Sequence, residues 1–377
     1  MENGTSPQNG NAMLYAESAA SDAERNRRVL ISRGLLNNEY PVKRKAERVY
    51  FPLVSLNEKD KKLIESKGLR LVRMKGAKAG QRRQGHAAKI RGLLDDKERG
   101  MLARGFDQYG SIAVIDIEDA LRAKEKLVAQ AIMDSNGSIK TVIAKAGPVH
   151  GVYRTRDYRY VAGLRTFAAE HRENGCMFRF DVRKAFFSNR LAFERARVRS
   201  LCRPKESVMV MFAGVGPFAI EIAKEHKDSK VVAVELNRAA YTYMLENIKI
   251  NKTPNVAALC SDVKKLPGEY DGTADRIIMP LPQKSLEFFD DAFRISRNGA
   301  TVHLYLFGPK ETALSDARKT IRAHASMNGY KVRFLFSRDV RPYSAKEVEI
   351  VVDFRVTRSP SRRAESRRKI VINRLHT

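Results

Sequence analysis

The chain has 377 residues, with 71 lysines and arginines against 43 aspartates and glutamates, a formal net charge of +28. This excess predicts a polyanionic partner, because basic side chains attract phosphates and release their counterions. Apolar residues make up 43% of the sequence, which excludes global disorder. The start is polar and no apolar run reaches about 18 residues, so we expect no secretory leader, no membrane span and a cytoplasmic location. Three scattered cysteines exclude a disulfide framework, and neither they nor the dispersed histidines predict a metal site.

The first half of the chain predicts three segments. Residues 1–37 are polar and rich in Ser, Asn and Arg, and we expect them to be flexible. Residues 38–92 read as strand, helix, strand, a small α/β domain with a basic linker; within it, 67–91 carries nine basic residues and no acidic one. Such a run is either a solvated charged face or a phosphate-binding surface, and we favour the second. Residues 93–180 form a middle domain with one clear strand and one clear helix.

A glycine-containing turn in the second half is the most informative stretch of the chain. The apolar run before it leads into Phe-Ala-Gly-Val-Gly-Pro-Phe (212–218) and then a helical pattern. Gly214 and Gly216 allow a tight turn and a close approach of a ligand to the backbone. A second apolar strand ends at Glu235, 21 residues after Gly214, where related folds place a carboxylate that accepts ribose hydroxyls.

The remaining elements predict a doubly wound sheet over residues 181–357. Further strands end near Asp262 and Pro280, and two strands between 330 and 356 close the sheet. No third glycine follows Gly216, so we expect a nucleoside-type cofactor without a diphosphate, such as S-adenosylmethionine. The predicted fold is α/β, with a class I, Rossmann-like S-adenosylmethionine-dependent methyltransferase domain after small α/β N-terminal and middle domains. Residues 358–377 form a basic tail without apolar periodicity.

Several ordered motifs resemble the archaeal and eukaryotic tRNA (guanine-37-N1)-methyltransferases. The matching segments are Gly-Val-Tyr-Arg-Thr-Arg (151–156), His-Arg-Glu-Asn-Gly-Cys (171–176), Phe-Phe-Ser-Asn-Arg-Leu-Ala-Phe-Glu-Arg (186–195), the glycine turn, Glu-Asn-Ile-Lys-Ile-Asn-Lys (246–252) and Arg-Ile-Ile-Met-Pro-Leu-Pro (276–282). The resemblance covers most of the chain and is loose before about residue 40 and after 357. It implies transfer of a methyl group from S-adenosylmethionine to N1 of guanosine 37, with tRNA as the partner of a monomer.

The chemistry of that reaction defines the groups that the site needs. N1 of guanine carries a proton, so a general base is required, and charge builds on O6, which calls for a donor or a cation. By resemblance, the base corresponds to Glu194, which we expect in a partly closed pocket that raises its pKa. The O6 contact corresponds to Arg154. Asn237 matches an active-site asparagine of the family, although a helix N-cap explains it equally well.

The same resemblance assigns the remaining site residues. Phe186, where the family commonly has Tyr, lies beside the target base or the cofactor, and Arg190 and Pro282 join it in binding the substrate. The cofactor is expected to contact residues at the strand ends, namely Phe212, Gly214, Gly216, Glu235, Leu236, Asp262, Val263 and Pro280. We expect Glu194→Gln to lower the methylation rate about 10²-fold while cofactor and tRNA binding persist.

Two departures from the family pattern leave other functions open. Val210 replaces an acidic residue of the cofactor strand, and Pro280 replaces an asparagine that helps to hold the target base. Three alternatives therefore remain: a wyosine-pathway enzyme that methylates or aminocarboxypropylates the same nucleotide, a silent tRNA-binding relative, and a nicotinamide-dependent enzyme. Glu194 and the Pro-Phe pair after the turn favour methyl transfer over aminocarboxypropyl transfer. The missing third glycine and the charge disfavour a nicotinamide cofactor.

Overall fold

The computed structural model describes residues 12–37, 40–45, 47–75 and 105–359. The chain divides into two compact units, Met1–Lys89 and Ile90–Thr377. The division falls three residues before the boundary that we predicted at 92. The part of the basic run after residue 75 and the tail after Ser359 lie outside the described residues.

In its described residues, the first unit is a four-stranded antiparallel sheet with two helices. Its elements are β1 (Ala12–Ala19), α1 (Ala23–Ser32), β2 (Lys43–Lys45), β3 (Arg48–Pro52), α2 (Glu58–Ser66) and β4 (Arg70–Lys75). The strand order is β2-β3-β1-β4, and all its pairings are antiparallel. A capping box starts α2, because the Asp60 backbone N–H donates to Asn57 Oδ1 at 2.9 Å and the Asn57 backbone N–H donates to Asp60 at 3.3 Å.

The prediction that residues 1–37 are flexible is wrong for residues 12–37. β1 lies inside the sheet, paired with β3 and β4, and α1 follows it. Strand β1 is poor in β-branched residues, so its sequence lacks the usual strand signal. Among the described side chains of helix α1, Ala23, Asn26 and Leu30 are buried, and the Asn26 amide donates to Ser18 Oγ at 2.9 Å. Tertiary packing, which local propensity does not record, orders this segment.

The second unit begins with the middle sheet. Strands β5 (Asp107–Tyr109), β6 (Ile112–Ile115), β7 (Thr141–Lys145) and β8 (Tyr158–Gly163) follow one another in space, and α3 (Glu125–Ser135) connects the parallel pair β6 and β7. A hairpin of β9 (Ala168–Glu173) and β10 (Cys176–Asp181) comes next. This region and the following domain share one hydrophobic core, in which Phe180 stacks on Phe187 with 4.9 Å between the ring centroids.

The Rossmann-like domain contains the seven-stranded sheet. Its elements are α4 (Ala192–Leu201), β11 (Ser207–Val210), α5 (Pro217–Glu225), β12 (Lys230–Glu235), α6 (Arg238–Asn251), β13 (Val256–Cys260), β14 (Ala274–Met279), α7 (Phe289–Ile295), β15 (Ser296–Pro309), α8 (Ala313–Met327), β16 (Tyr330–Pro342) and β17 (Glu347–Arg358). The strand order is β13-β12-β11-β14-β15-β17-β16, and only the pairs that involve β17 are antiparallel. The predicted doubly wound α/β sheet is confirmed, including the two closing strands.

Candidate active site

One cavity of about 300 Å³ lies at the carboxyl ends of β11, β12 and β14. We call the wall at these strand ends the glycine half; it comprises Phe212, Gly214, Glu235, Leu236, Asp262 and Val263. We call a second group of lining residues the arginine half; it comprises Arg154, Phe186, Phe307, Arg341 and Glu349. Pro280 and Pro282 line the same cavity. The cavity therefore joins the predicted cofactor residues to side chains from remote parts of the second unit.

Backbone geometry shapes the glycine half. Gly214 and Gly216 have φ of 58° and 90°, in the left-handed region that glycine tolerates. A Cβ on Gly216 would lie 2.9 Å from Met244 Cγ and 3.0 Å from Ile220 Cδ1. Gly216 caps α5, does not itself line the cavity, and fixes the turn that presents Gly214. Phe212 also has a positive φ, 54°, which is costly for an aromatic residue and marks a constrained site.

Glu235 is the central polar group of the glycine half. Its two carboxylate oxygens accept the backbone N–H groups of Gly214 and Asn237, each at 2.7 Å. Burial raises the pKa of Glu235, and the backbone N–H groups of Asn237 and Gly214 oppose that shift. Each carboxylate oxygen can accept a further hydrogen bond, so the pair is suited to a ribose diol.

The rest of the glycine half provides apolar surfaces beside one more carboxylate. Leu236 is 44% exposed and Val263 is 3% exposed, and both line the cavity. Asp262 Oδ1 accepts the backbone N–H of Lys264 at 3.0 Å and thereby caps a short 3-10 turn. Two apolar side chains and an acceptor carboxylate suit a planar base that carries an amino group.

Asn237 lines the cavity, but its side chain serves the fold. Oδ1 accepts the backbone N–H groups of Ala239 and Ala240, at 3.0 and 3.4 Å, and Nδ2 donates to the Lys184 carbonyl at 2.8 Å. It is therefore the N-cap of α6 and ties that helix to the loop after β10. The structure thus shows a positioning role for Asn237, and the catalytic role that the resemblance implies stays a prediction.

Arg154 projects from a tight loop into the arginine half. Gly151 and Arg154 have φ of 68° and 55°, and a bridge between His150 and Thr155 closes the loop. The guanidinium lies over the ring of Phe186, 5.2 Å from its centroid. Burial lowers the pKa of Arg154, while Tyr343 and Glu349 oppose that shift. Its Nε is buried without a hydrogen-bond partner among the described residues, and such a buried donor would gain from a partner on a ligand.

Glu349, on a closing strand, lines the same cavity as Arg154 and was not anticipated. It is 1% exposed, and Arg341 Nε donates to its Oε2 at 2.6 Å. Burial raises the pKa of Glu349, while Arg341 and Arg154 oppose that shift. Phe307 pairs with Glu349 across β15 and β17, and its ring stacks on Tyr343 with 3.9 Å between centroids. No motif marks these residues, because the antiparallel register of the last three strands brings them together.

Glu194 does not lie where we expected it. The residue is 1% exposed and does not line the cavity. Its Oε2 accepts from Tyr305 Oη at 2.9 Å and from Arg197 Nε at 3.0 Å, while Arg338 donates to Oε1. The expectation of a partly closed pocket is thus wrong for this conformation. Helix α4 turns this side chain onto the face of β15 and β16, where basic residues surround it.

Arg190 is also outside the cavity. It is exposed and pairs with Asp107 at 2.9 Å, beside a separate pocket that Asp116, Lys145 and Asn189 help to line. A direct contact between Arg190 and a base in the main cavity does not fit this position. Pro280 and Pro282, by contrast, line the cavity as predicted. Among the described residues no cluster of His, Cys, Asp or Glu could hold a metal ion, and no described helix is long and apolar enough to span a membrane.

Comparisons with known proteins agree with this architecture. The profile of the TRM5/TYW2 methyltransferase domain matches residues 169–333, that of the TYW2 N-terminal domain matches 87–166, and that of the tRNA methyltransferase 5 N-terminal domain matches 20–61. The chain is 35% identical to the tRNA (guanine(37)-N(1))-methyltransferase Trm5b of Pyrococcus abyssi, over 88% of this chain and 95% of that one. It is 30% identical to the tRNA(Phe) (4-demethylwyosine(37)-C(7)) aminocarboxypropyltransferase of Pyrococcus horikoshii, over 74% of this chain and 100% of that one.

Solved structures give the same result. The crystal structure of Pyrococcus abyssi Trm5b matches with a TM-score of 0.68 and 33% identity, over 92% of this chain and 99% of that one. A complex of aTrm5 with tRNALeu matches with a TM-score of 0.64 and 26% identity, over 91% and 99%. Methanocaldococcus jannaschii TYW2 in complex with AdoMet matches with a TM-score of 0.54 and 25% identity, over 67% and 99%. The chain belongs to the family of archaeal and eukaryotic tRNA (guanine-37-N1)-methyltransferases.

Proposed function

We propose that this protein transfers a methyl group from S-adenosylmethionine to N1 of guanosine 37 in tRNA. The observation that carries the proposal is the single cavity that joins a nucleoside-binding turn to a wall with a buried arginine and aromatic rings. Family membership, and relatives solved with AdoMet and with tRNALeu, support the same cofactor and the same class of substrate.

The glycine half fits the cofactor. Glu235 would accept the ribose hydroxyls, and Asp262, between Leu236 and Val263, would accept from the adenine amino group. Gly214 permits the close approach of backbone and cofactor. S-adenosylmethionine, when bound, supplies an electrophilic methyl group on a sulfonium. The protein then has to orient the guanine toward that methyl, remove the N1 proton and stabilise O6.

The arginine half fits the guanine. Phe186 and Phe307 offer aromatic faces for stacking, and the side chain of Phe186 is 44% exposed. Arg154 would donate to O6, where negative charge develops as N1 loses its proton. Its Nε has no partner among the described residues, so no existing hydrogen bond at that atom has to break first.

Glu194 is our proposed acceptor of the N1 proton, and the arginine that covers it has to move before it can accept that proton. Arg197 and Tyr305 hold it from within, whereas Arg338, whose side chain is 35% exposed, covers it from the side of β16. Displacement of Arg338 onto an RNA phosphate would uncover the carboxylate when tRNA binds. Catalytic hydrogen bonds that form only in the substrate complex are common.

The partner and setting follow from charge and composition. A net charge of +28 suits a tRNA anticodon stem and body, and binding is expected to weaken steeply with salt. We propose a monomer, since one chain carries both the N-terminal unit and the catalytic cavity. The described structure has three free cysteines, two of them buried, which agrees with a reducing, cytoplasmic setting.

A wyosine-pathway activity is the second candidate. The match of residues 87–166 to the TYW2 N-terminal domain and 30% identity to the aminocarboxypropyltransferase favour it. That relative matches over 74% of this chain, whereas Trm5b matches over 88%. In addition, residues 20–61 match the tRNA methyltransferase 5 N-terminal domain. The N-terminal unit therefore favours guanosine as the substrate.

Nucleoside analysis after reaction tests the proposal. The protein would be incubated with S-adenosylmethionine and unmodified tRNA transcripts carrying guanosine or adenosine at position 37, and the digests analysed by mass spectrometry. We expect 1-methylguanosine only from the first transcript. Absence of a methylated guanosine, with cofactor and tRNA both bound, would overturn the proposal and direct the same assay to tRNA carrying 4-demethylwyosine.

A further inference from the structure

We propose that Glu349 reads the 2-amino group of the target guanine and supplies the hydrogen bond that Pro280 cannot make. This inference rests on the proposed function. It concerns a buried carboxylate that faces the cavity and that neither the family motifs nor the proposed proton transfer uses.

The sheet fixes the position of Glu349. Phe307 on β15 pairs with it on one side, and Arg341 on β16 pairs with it on the other. Arg341 Nε holds Oε2 at 2.6 Å. No described residue forms a hydrogen bond with Oε1, and since the residue lines the cavity, this oxygen is left to meet a ligand.

The Oε1 atom of Glu349 belongs to a buried side chain, and this favours a hydrogen bond with a ligand. Glu349 is 1% exposed, and a buried carboxylate with an unused acceptor is costly unless a ligand or water completes its hydrogen bonds. Arg154 lines the same cavity; its charge lowers the pKa of Glu349, and the charge of Glu349 raises the pKa of Arg154. The cavity thus presents a donor, Arg154, and an acceptor, Glu349.

That order of donor and acceptor matches one nucleobase edge. Guanine presents an acceptor, O6, followed by two donors, N1–H and the 2-amino group, whereas adenine presents a donor followed by an acceptor. Arg154 on O6 and Glu349 on the 2-amino group would hold both ends of this edge and leave N1, between them, accessible to the methyl donor. If adenine were bound instead, the Arg154 donor would face the adenine amino group, which is also a donor.

Pro280 explains why such a residue is needed. A proline offers neither a side-chain amide nor a backbone N–H. Of the described carboxylates that line the cavity, Glu235 and Asp262 belong to the glycine half, and Glu287 is exposed. Glu194 is covered by Arg338. Glu349 is therefore the carboxylate acceptor that the arginine half provides.

A change in the RNA tests the proposal without altering the protein. Inosine is guanosine without the 2-amino group, so wild-type protein is compared on transcripts that carry guanosine or inosine at position 37. We expect kcat/KM to be about 10-fold or more higher for guanosine, because an unpaired charged acceptor remains when inosine is bound. Equal kcat/KM values would overturn the inference. Absence of methylation on the guanosine transcript would instead overturn the proposed function.

Variants of Glu349 test whether this side chain causes the preference for guanosine over inosine. Glu349→Leu removes the acceptor, and we expect the guanosine-to-inosine ratio to fall below about 3. Glu349→Gln keeps an acceptor oxygen and should retain a ratio between those of the wild type and the leucine variant. Glu347→Leu, on the same strand but exposed and outside the cavity, is the matched control and should keep the wild-type ratio.

A purely structural role gives a different pattern. If Glu349 only balances the charges of Arg154 and Arg341, Glu349→Leu slows both transcripts equally and leaves the ratio unchanged, which would overturn the inference. Binding of S-adenosylmethionine serves as the folding control, because the cofactor residues lie in the glycine half. A glutamine variant that discriminates no better than the leucine variant would also contradict the proposal.

Discussion

The two halves of the cavity are built in different ways. The glycine half consists of strand ends and one turn that follow each other within about 50 residues, and backbone groups determine its shape. The arginine half takes Arg154 from a loop before β8, Phe186 from the loop after β10, and Glu349 from the last strand. Residues that form a site through local backbone geometry are close together in the sequence and can be recognised as a motif. Residues that strand register brings together from distant positions form no such motif.

The largest effect on the methylation rate is expected for a change at Glu194, which lies outside the cavity. Glu194→Gln removes the carboxylate but keeps the shape, and we expect the single-turnover methylation rate to fall about 10²-fold at saturating cofactor and tRNA. Glu225→Gln is the control, because the exposed Glu225 of α5 pairs with Arg199 of α4. An unchanged rate in Glu194→Gln would remove Glu194 from the mechanism.

A smaller effect is expected in the glycine half. Glu235→Gln replaces one acceptor oxygen by an amino group, which cannot accept from Gly214, Asn237 or a ribose hydroxyl. We expect the Kd for S-adenosylmethionine to rise about 10-fold, with tRNA affinity unchanged. Titration calorimetry would measure both, with the exposed Glu269→Gln as control. A loss of tRNA affinity together with cofactor affinity would show that the two halves are not separable.

The smallest effect is expected on the free energy of unfolding, through two buried acids beside Arg195. Arg195 lies against two buried acids, Glu173 and Glu221. Burial and the neighbouring Glu173 raise the pKa of Glu221 to about 8. Burial also acts to raise the pKa of Glu173, but hydrogen bonds outweigh it and lower that pKa to about 2. A raised folded-state pKa stabilises the fold at low pH, and this contribution is lost as pH rises through 8.

Unfolding experiments between pH 6 and 9 would detect this linkage. We expect the free energy of unfolding of the wild type to fall by on the order of 2 kcal/mol more than that of Glu221→Gln, which carries no titrating proton. Glu225→Gln, on the same helix and partly exposed, should behave like the wild type. Parallel curves for the wild type and Glu221→Gln would contradict the raised pKa.

The sequence predicted the fold and the glycine half because local signals determine them. Alternating strands and helices fixed the sheet, and Gly214, Glu235 and Asp262 came together as strand ends must. The errors have physical causes. Burial of β1 depends on partner strands, and the environment of Glu194 depends on Tyr305 and Arg338, which are more than 100 residues away in sequence.

Glu349 shows the limit of motif reasoning most clearly. Its strand was predicted, but an alternating apolar strand gives no sign of which acidic residue faces a cavity and which faces solvent. Glu347 and Glu349 are two positions apart, and they differ because Glu349 has strand neighbours on both sides, Phe307 and Arg341, whereas Glu347 has a strand neighbour on the β15 side alone. Only the register of three strands distinguishes them.

In the proposed mechanism the arginine half acts on the base and not on the cofactor. The most direct measurement is the single-turnover methylation rate of Arg154→Met at saturating S-adenosylmethionine, beside Arg156→Met as a control outside the cavity. We predict a rate at least about 10²-fold below the wild type for Arg154→Met, because one donor to the developing charge on O6 is lost. A rate equal to that of the control would contradict the account.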